Sequence, residues 1–225
     1  MRAIILVLAF GLALSGQTPP ALDVVLLVED SVPATRLARR TDLSAFSPGD
    51  RLAVMTFSGK QSLKLPLEED YEKVERAIGK LDGSGTRFGR GRVWDAVAKA
   101  AGMLDGPRDP LLRRAIFVVF SGEDNSTEQT PESVREALLR NEVSLNAVTI
   151  WSGRPPVPAP PLVLQTPKRP TPQTPGVWSD RPPLIQGSAL DDTLRSVEWL
   201  AMETGGLRLK NEMDFTKLAE HARGH

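Results

Sequence analysis

Apolar residues follow two alternating rhythms along this chain. Ala21–Val28 is a short, nearly unbroken apolar run, and Arg51–Ser58, Arg113–Phe120 and Val143–Trp151 are further short stretches rich in Val, Leu, Ile, Ala and Phe. Such runs suit strands buried on both faces, as in a parallel sheet. Between them the spacing changes to that of a helix. Tyr71–Leu81 sets Val74, Ile78 and Leu81 on one stripe, and Arg92–Leu104 does the same with Val93, Val97, Ala100, Ala101 and Leu104. Thr35–Phe46 carries Leu37, Ala38 and Leu43 and is stopped by Pro48-Gly49-Asp50. Thr130-Pro131-Glu132 opens a helix through Val134, Ala137 and Leu138, with threonine as cap, proline in the first turn and Asn141 as its close. Asp191–Thr204 is amphipathic and stops at Gly205-Gly206; a short strand, Leu207–Lys210, and a last helix, Phe215–Ala222, follow.

Gln61–Leu67 differs from the other strands. Leu63, Leu65 and Leu67 alternate with polar neighbours, and Pro66 lacks an amide donor, which places this strand at a sheet edge. Strands separated by helices predict an open, doubly wound α/β fold, Rossmann-like, mainly parallel, with helices on both faces and one edge strand running opposite. It spans 21–222 as a single domain. Ligands of such sheets bind beyond the carboxyl ends of the strands, which puts Glu29–Pro33 and Ser121–Asn125 at the candidate site.

Two segments stand apart from the alternation. Arg2 followed by the apolar run Ala3–Leu14 and the small residues Ser15-Gly16 reads as a signal peptide over 1–16, and predicts a secreted or periplasmic protein with no membrane span after cleavage. Arg154–Pro183 holds eleven of the nineteen prolines and repeats Thr-Pro steps. That density opposes both helix and ladder. With the residues that follow, it reads as a proline-rich insertion over 154–187, inside the domain rather than between domains.

Composition narrows the chemistry. Basic and acidic residues balance at 28 each, so no basic face for nucleic acid is expected. There is no cysteine, which removes disulfides, thiolate zinc sites and thiol nucleophiles. The two histidines, His221 and His225, stand at the far C-terminus, too few and too remote for a histidine triad or a three-histidine metal site. Ser121-Gly122 is not a nucleophile elbow, because position 119 is valine. No enzyme activity is expected. The loop Gly83–Arg92 carries Arg87, Arg90 and Arg92 among glycines, without the Gly-Lys-Ser/Thr of a phosphate-binding loop. Its positive charge suits an acidic group on a partner.

Four motifs then occur in one order. Val24-Val25-Leu26-Leu27-Val28-Glu29-Asp30-Ser31 comes first. Gly83-Ser84-Gly85-Thr86 precedes Val93-Trp94-Asp95-Ala96-Val97. Phe117–Phe120 runs into Ser121-Gly122-Glu123-Asp124-Asn125, and Leu200–Thr204 into Gly205-Gly206. Together they resemble von Willebrand factor A-type domains, most of all the secreted bacterial branch associated with Acidobacteria. In that family three loops hold a divalent cation through Asp-x-Ser-x-Ser, a threonine and an aspartate. The resemblance implies Glu29, Ser31 and Thr86 as the metal residues that remain. Pro33 stands where the second serine is expected and Ser121 where the last aspartate is expected. A longer acid, a lost acid and a lost hydroxyl predict a degenerate metal-ion-dependent adhesion site with no cofactor; Mg or Ca with non-standard ligands is the alternative. Ser31 or Asp30 is expected to cap the next helix instead. The function implied is non-catalytic protein–protein interaction through Glu29, Asp30, Ser31, Thr86, Arg87, Arg90, Ser121, Glu123 and Asp124. A scaffold working through the proline-rich insertion is a further alternative.

Overall fold

The computed structural model of the chain describes residues 19–84, 90–121, 123–124, 127–150 and 189–224. The signal segment 1–16, the insertion 154–187, Thr86 and Arg87 lie outside them. In chain order the elements are β1 (Ala21–Glu29), α1 (Val32–Ala38), β2 (Arg51–Phe57), β3 (Gln61–Glu68), α2 (Tyr71–Gly79), β4 (Arg90–Gly91), α3 (Val93–Met103), β5 (Leu112–Phe120), β6 (Glu123–Asp124), α4 (Pro131–Arg140), β7 (Val143–Thr149), α5 (Ala189–Glu203), β8 (Arg208–Lys210) and α6 (Phe215–Gly224).

Among the described residues the main sheet runs β3-β2-β1-β5-β7-β8. All its pairings are parallel except β2 with β3, which is antiparallel, so Pro66 does lie in an edge strand. The period of two within each strand divides the side chains between two layers. Val25, Leu27, Ala53, Met55, Ile116, Val118 and Leu145 pack with α3, α4 and α5. Leu22, Val24, Leu26, Val28, Leu52, Val54, Ala115 and Phe117 pack with α1, α2 and α6. Three helices on each face explain why the middle of β1 and of β5, Val24–Val28 and Ala115–Phe120, is wholly apolar.

The first helix differs from expectation. It does not run from Thr35 to Phe46. It starts at Val32 and ends at Ala38, and Leu43–Ala45 forms a separate 3-10 turn. Ser31 is the N-cap, in extended backbone with φ −127° and ψ 151°, and Pro33 sits in the first turn. First-turn amides have no intrahelical partner, so proline costs nothing there and its fixed φ favours the helix start. The proline that stands where the resemblance implies a serine therefore has a structural role at the helix start.

The far edge is held by close backbone approach. Gly205 has φ +66° after α5. A Cβ on Gly206 would lie 1.8 Å from the Leu145 carbonyl oxygen, so only glycine lets the chain turn against β7. Fully buried Asn146 then accepts the Leu207 N–H at 2.8 Å and sets β8 beside β7.

Candidate functional site

The chain passes from β1 to β2 on one side, then crosses to β5 on the other side of β1. The sheet order reverses between β1 and β5, and the crevice at such a reversal is where open α/β sheets bind ligands. Glu29 ends β1 and Ser121 follows the last residue of β5, so the two face each other there.

The Glu29 carboxylate is turned inward, with 1 % of its residue surface exposed, and Ser31 has none. Glu29 Oε2 accepts three hydrogen bonds: from the Ser121 N–H at 2.7 Å, the Ser121 hydroxyl at 2.7 Å and the Ser31 hydroxyl at 3.1 Å. The two hydroxyl oxygens lie 3.1 Å apart. Burial pushes the Glu29 carboxyl above its usual range; the bonds from Ser121 and Ser31 oppose the rise, and the neighbouring Asp30 charge adds to it. Ser31 also accepts from the Ala34 N–H at 3.5 Å as the cap of α1. Asp30 is not the cap. It is partly exposed, and its N–H binds the Phe57 carbonyl at 2.7 Å.

The second loop touches the first through glycine. Gly83 has φ +63°, and a Cβ there would come within 2.6 Å of Thr35 Oγ1 and 3.0 Å of the Val32 backbone. Its return leg passes over the carboxylate: a Cβ on Gly91 would meet Phe57 at 3.0 Å and Glu29 Oε1 at 3.6 Å. The second and third loops share a parallel two-stranded ladder, β4 with β6, which aligns Arg90 with Glu123 and Gly91 with Asp124.

Beyond the ladder, Asp95 in the first turn of α3 is a residue whose role the sequence did not reveal. Its Oδ1 accepts the N–H groups of Glu128 at 3.0 Å and Gln129 at 2.9 Å, and its own N–H binds Thr127 Oγ1 at 3.3 Å. Arg92 bridges Asp95 at 2.6 Å and Glu128 at 2.7 Å. Arg92 was expected to offer free positive charge to a partner, but it spends that charge internally. The only signal in the sequence was an acid three residues after the helix entry, where a helix-start role is the usual inference.

Of the residues expected at the site, the structure brings Glu29, Ser31 and Ser121 into contact, with Asp30 beside them, and aligns the backbones of Arg90, Glu123 and Asp124 in the small ladder. Trp94 is buried in the core, and Trp199 is partly exposed under Arg135, whose guanidinium lies 5.9 Å from its ring. Among the described residues there is no group of three or more His, Cys, Asp or Glu placed to hold a metal ion, and no helix long and apolar enough to cross a membrane. The described donors fit a divalent cation poorly: they include one carboxylate, and its Oε2 is already engaged by three donors.

A mainly parallel sheet wound on both faces, with its loops gathered at the reversal point, defines an open doubly wound α/β domain. Neither a protein-family model nor a curated protein sequence matches the chain. Solved structures share its fold. An aerotolerance-related membrane protein from Bacteroides fragilis matches with TM-score 0.55 and 17% identity over 91% of this chain and 98% of that one. Conserved hypothetical protein BatB from Bacteroides thetaiotaomicron matches with TM-score 0.55 and 16% identity over 90% and 96%. A von Willebrand factor type A protein from Catenulispora acidiphila matches with TM-score 0.53 and 14% identity; it covers 92% of this chain, which spans 42% of that longer chain. The fold is that of von Willebrand factor type A domains.

Proposed function

We propose that this chain is a non-catalytic, extracytoplasmic protein-interaction domain. It binds another protein through the loops at the carboxyl ends of its strands and does so without a cation. The observation that carries this is the Glu29 carboxylate, turned inward and satisfied by Ser31 and Ser121. In this reading internal donors occupy the acid that a cation would need, and the loops keep their places through protein contacts. The recognition surface is assigned to Asp30, Thr86, Arg87, Arg90, Glu123 and Asp124. Export follows from the signal-like segment 1–16.

A metal-dependent variant has one observation in its favour. The oxygens of Glu29, Ser31 and Ser121 form a triangle with edges of 2.7, 3.1 and 3.1 Å. One face of an octahedron around magnesium has edges of about 2.9 Å, given metal–oxygen bonds of about 2.0–2.1 Å. Thermal melting of the chain lacking residues 1–16 separates the two, run with chelator and then with millimolar Mg or Ca. An ion that binds only the folded state raises the midpoint. The cation-free reading expects the same midpoint in every arm; a rise with either ion would favour the metal site.

A further inference from the structure

We propose that Asp95 is the positioning residue for the third loop of the binding face. It ties residues 127–129 to the start of α3 and so fixes that loop beside the second. The proposal rests on the reading of these loops as the binding face.

The geometry is unusual for a helix start. Arg92 is the N-cap residue of α3 and makes no side-chain capping bond. An acid at the third helical position ordinarily reaches back to the first amides of its own helix. Asp95 turns away from that task. Its Oδ1 takes two amides from a segment more than thirty residues later in the chain, at 3.0 and 2.9 Å, and its own N–H reaches Thr127. A local rule broken at a loop junction marks a place where the chain favours position over helix stability.

The surrounding groups agree. Arg92 bonds Asp95 and Glu128 together, which draws the loop inward from its exposed side. Thr130 caps α4 directly after the tethered residues, in a reciprocal box with Ser133, so the loop is fixed at its far end as well. At its near end the Ser121 N–H and hydroxyl hold Glu29. Ser121 at one end of the third loop is therefore held to Glu29, and residues 127–129 at the other end are held against α3. The cross-loop order that a shared cation would otherwise impose is supplied by a carboxylate on a neighbouring helix.

Hydrogen exchange read by mass spectrometry tests this on the chain lacking residues 1–16. Asp95→Ala is expected to speed exchange of a peptide over 127–130 about tenfold, the loss of two modest hydrogen bonds, while peptides of α3 over 96–103 stay within about twofold of the parent. Asp95→Asn keeps an acceptor oxygen and is expected to restore slow exchange. Unchanged loop exchange in Asp95→Ala, or equal acceleration of α3, would overturn the proposal, since the second result makes Asp95 a helix stabiliser. If Asp95→Ala does not fold, Thr127→Val removes the Thr127 hydroxyl and is expected to speed the same peptide; no change there overturns it too. These outcomes concern loop order only, so they stand apart from the chelator and cation melting that tests the binding reading.

Discussion

Each end of the sheet buries acids, and the two ends treat them in opposite ways. At the amino end of the strands, Asp23 receives Arg51 in a two-pronged pair at 2.8 and 2.6 Å. Asp50, with 1% of its side chain exposed, accepts the Leu22 N–H at 2.8 Å and the Ser47 N–H at 2.7 Å, and binds the Arg223 guanidinium. At the carboxyl end, Glu29 is as deeply buried but is held by hydroxyls and an amide, with Asp30 rather than a cation as its charged neighbour. One end spends arginines to fix the chain, closing the α6 terminus onto the loop before β2. Among the described residues the other sets no cation against its carboxylate. Breaking a buried pair strands the remaining charge, and a buried acid with no cation beside it costs stability, so the two ends should answer differently to loss of their acids.

The largest effect is expected where the pairing is complete. Asp50→Ala leaves the Arg223 guanidinium, with only 14% of its side chain exposed, without its carboxylate and removes the acceptor of two backbone amides. Loss of one partner from a buried pair costs about 3–5 kcal/mol. Urea unfolding should show that loss at unchanged slope. A cost under about 1 kcal/mol, the range of exposed pairs, would remove the distinction between the two ends.

The next test rewrites the carboxyl end. Glu29→Asp, Pro33→Ser and Ser121→Asp together restore the acids and hydroxyl that the family resemblance implies. The triple variant is expected to gain about 2.7 kcal/mol when magnesium is at a hundred times its dissociation constant, read as a cation-dependent rise in melting midpoint. A variant that folds and ignores magnesium would show that more than these three side chains separates this chain from a cation-binding relative.

Much of this was legible beforehand, and the reasons are local. Strands β1, β2 and β5 announced themselves because burial on both faces favours apolar runs, and β7 did so through Val143, Leu145, Ala147 and Val148 despite its buried Ser144, Asn146 and Thr149. Pro66 marked the edge strand for lack of an amide. Ser31 or Asp30 was readable as the cap because serine and aspartate are favoured there, and the structure uses Ser31. The end of α1 was not readable, because the first proline or glycine after Ala38 is Pro48, although the chain has already left the helix at Arg39. The grouping of Glu29 with Ser121 followed from the strand ends and the family resemblance, but the direct bonds that join these residues, 92 positions apart, needed the three-dimensional arrangement. Asp95 was hidden for the same reason: its partners are distant in sequence, and its position favours a local interpretation.

The pH dependence of Glu29 sharpens the contrast without breaking any element. Its folded pKa stands above the unfolded value because of burial, so the folded protein holds this proton more tightly than the unfolded chain. Its contribution to stability is full below the ordinary carboxylate pKa and falls as pH rises toward the raised value. Acidification from neutrality toward that ordinary range should therefore stabilise the parent relative to Glu29→Gln, whose side chain does not titrate. Urea midpoints of the two proteins measured from neutral pH downward decide it; a difference that stays constant, or that grows with rising pH, contradicts the assignment of Glu29 as an unneutralised buried acid.

The smallest expected effect lies at the amino end again, on the rim of the Asp50 pair. The Tyr71 hydroxyl donates to the Ser47 carbonyl at 2.7 Å and lies 3.2 Å from that of Asp50. Burial first, and the Asp50 charge second, push its pKa up to about 12, with Arg223 opposing. Tyr71→Phe keeps the ring beside Phe46 and removes the donor, which should cost about 1 kcal/mol at neutral pH. The parent's advantage over Tyr71→Phe should hold below pH 10, the ordinary tyrosine value, and fade as pH climbs toward 12, because the unfolded chain releases this proton first. Here burial, with the Asp50 charge adding to it, raises the pKa of a neutral neighbour of the pair. At the carboxyl end the groups against the buried carboxylate are serines, which do not titrate in this range, so no comparable alkaline step is expected from them.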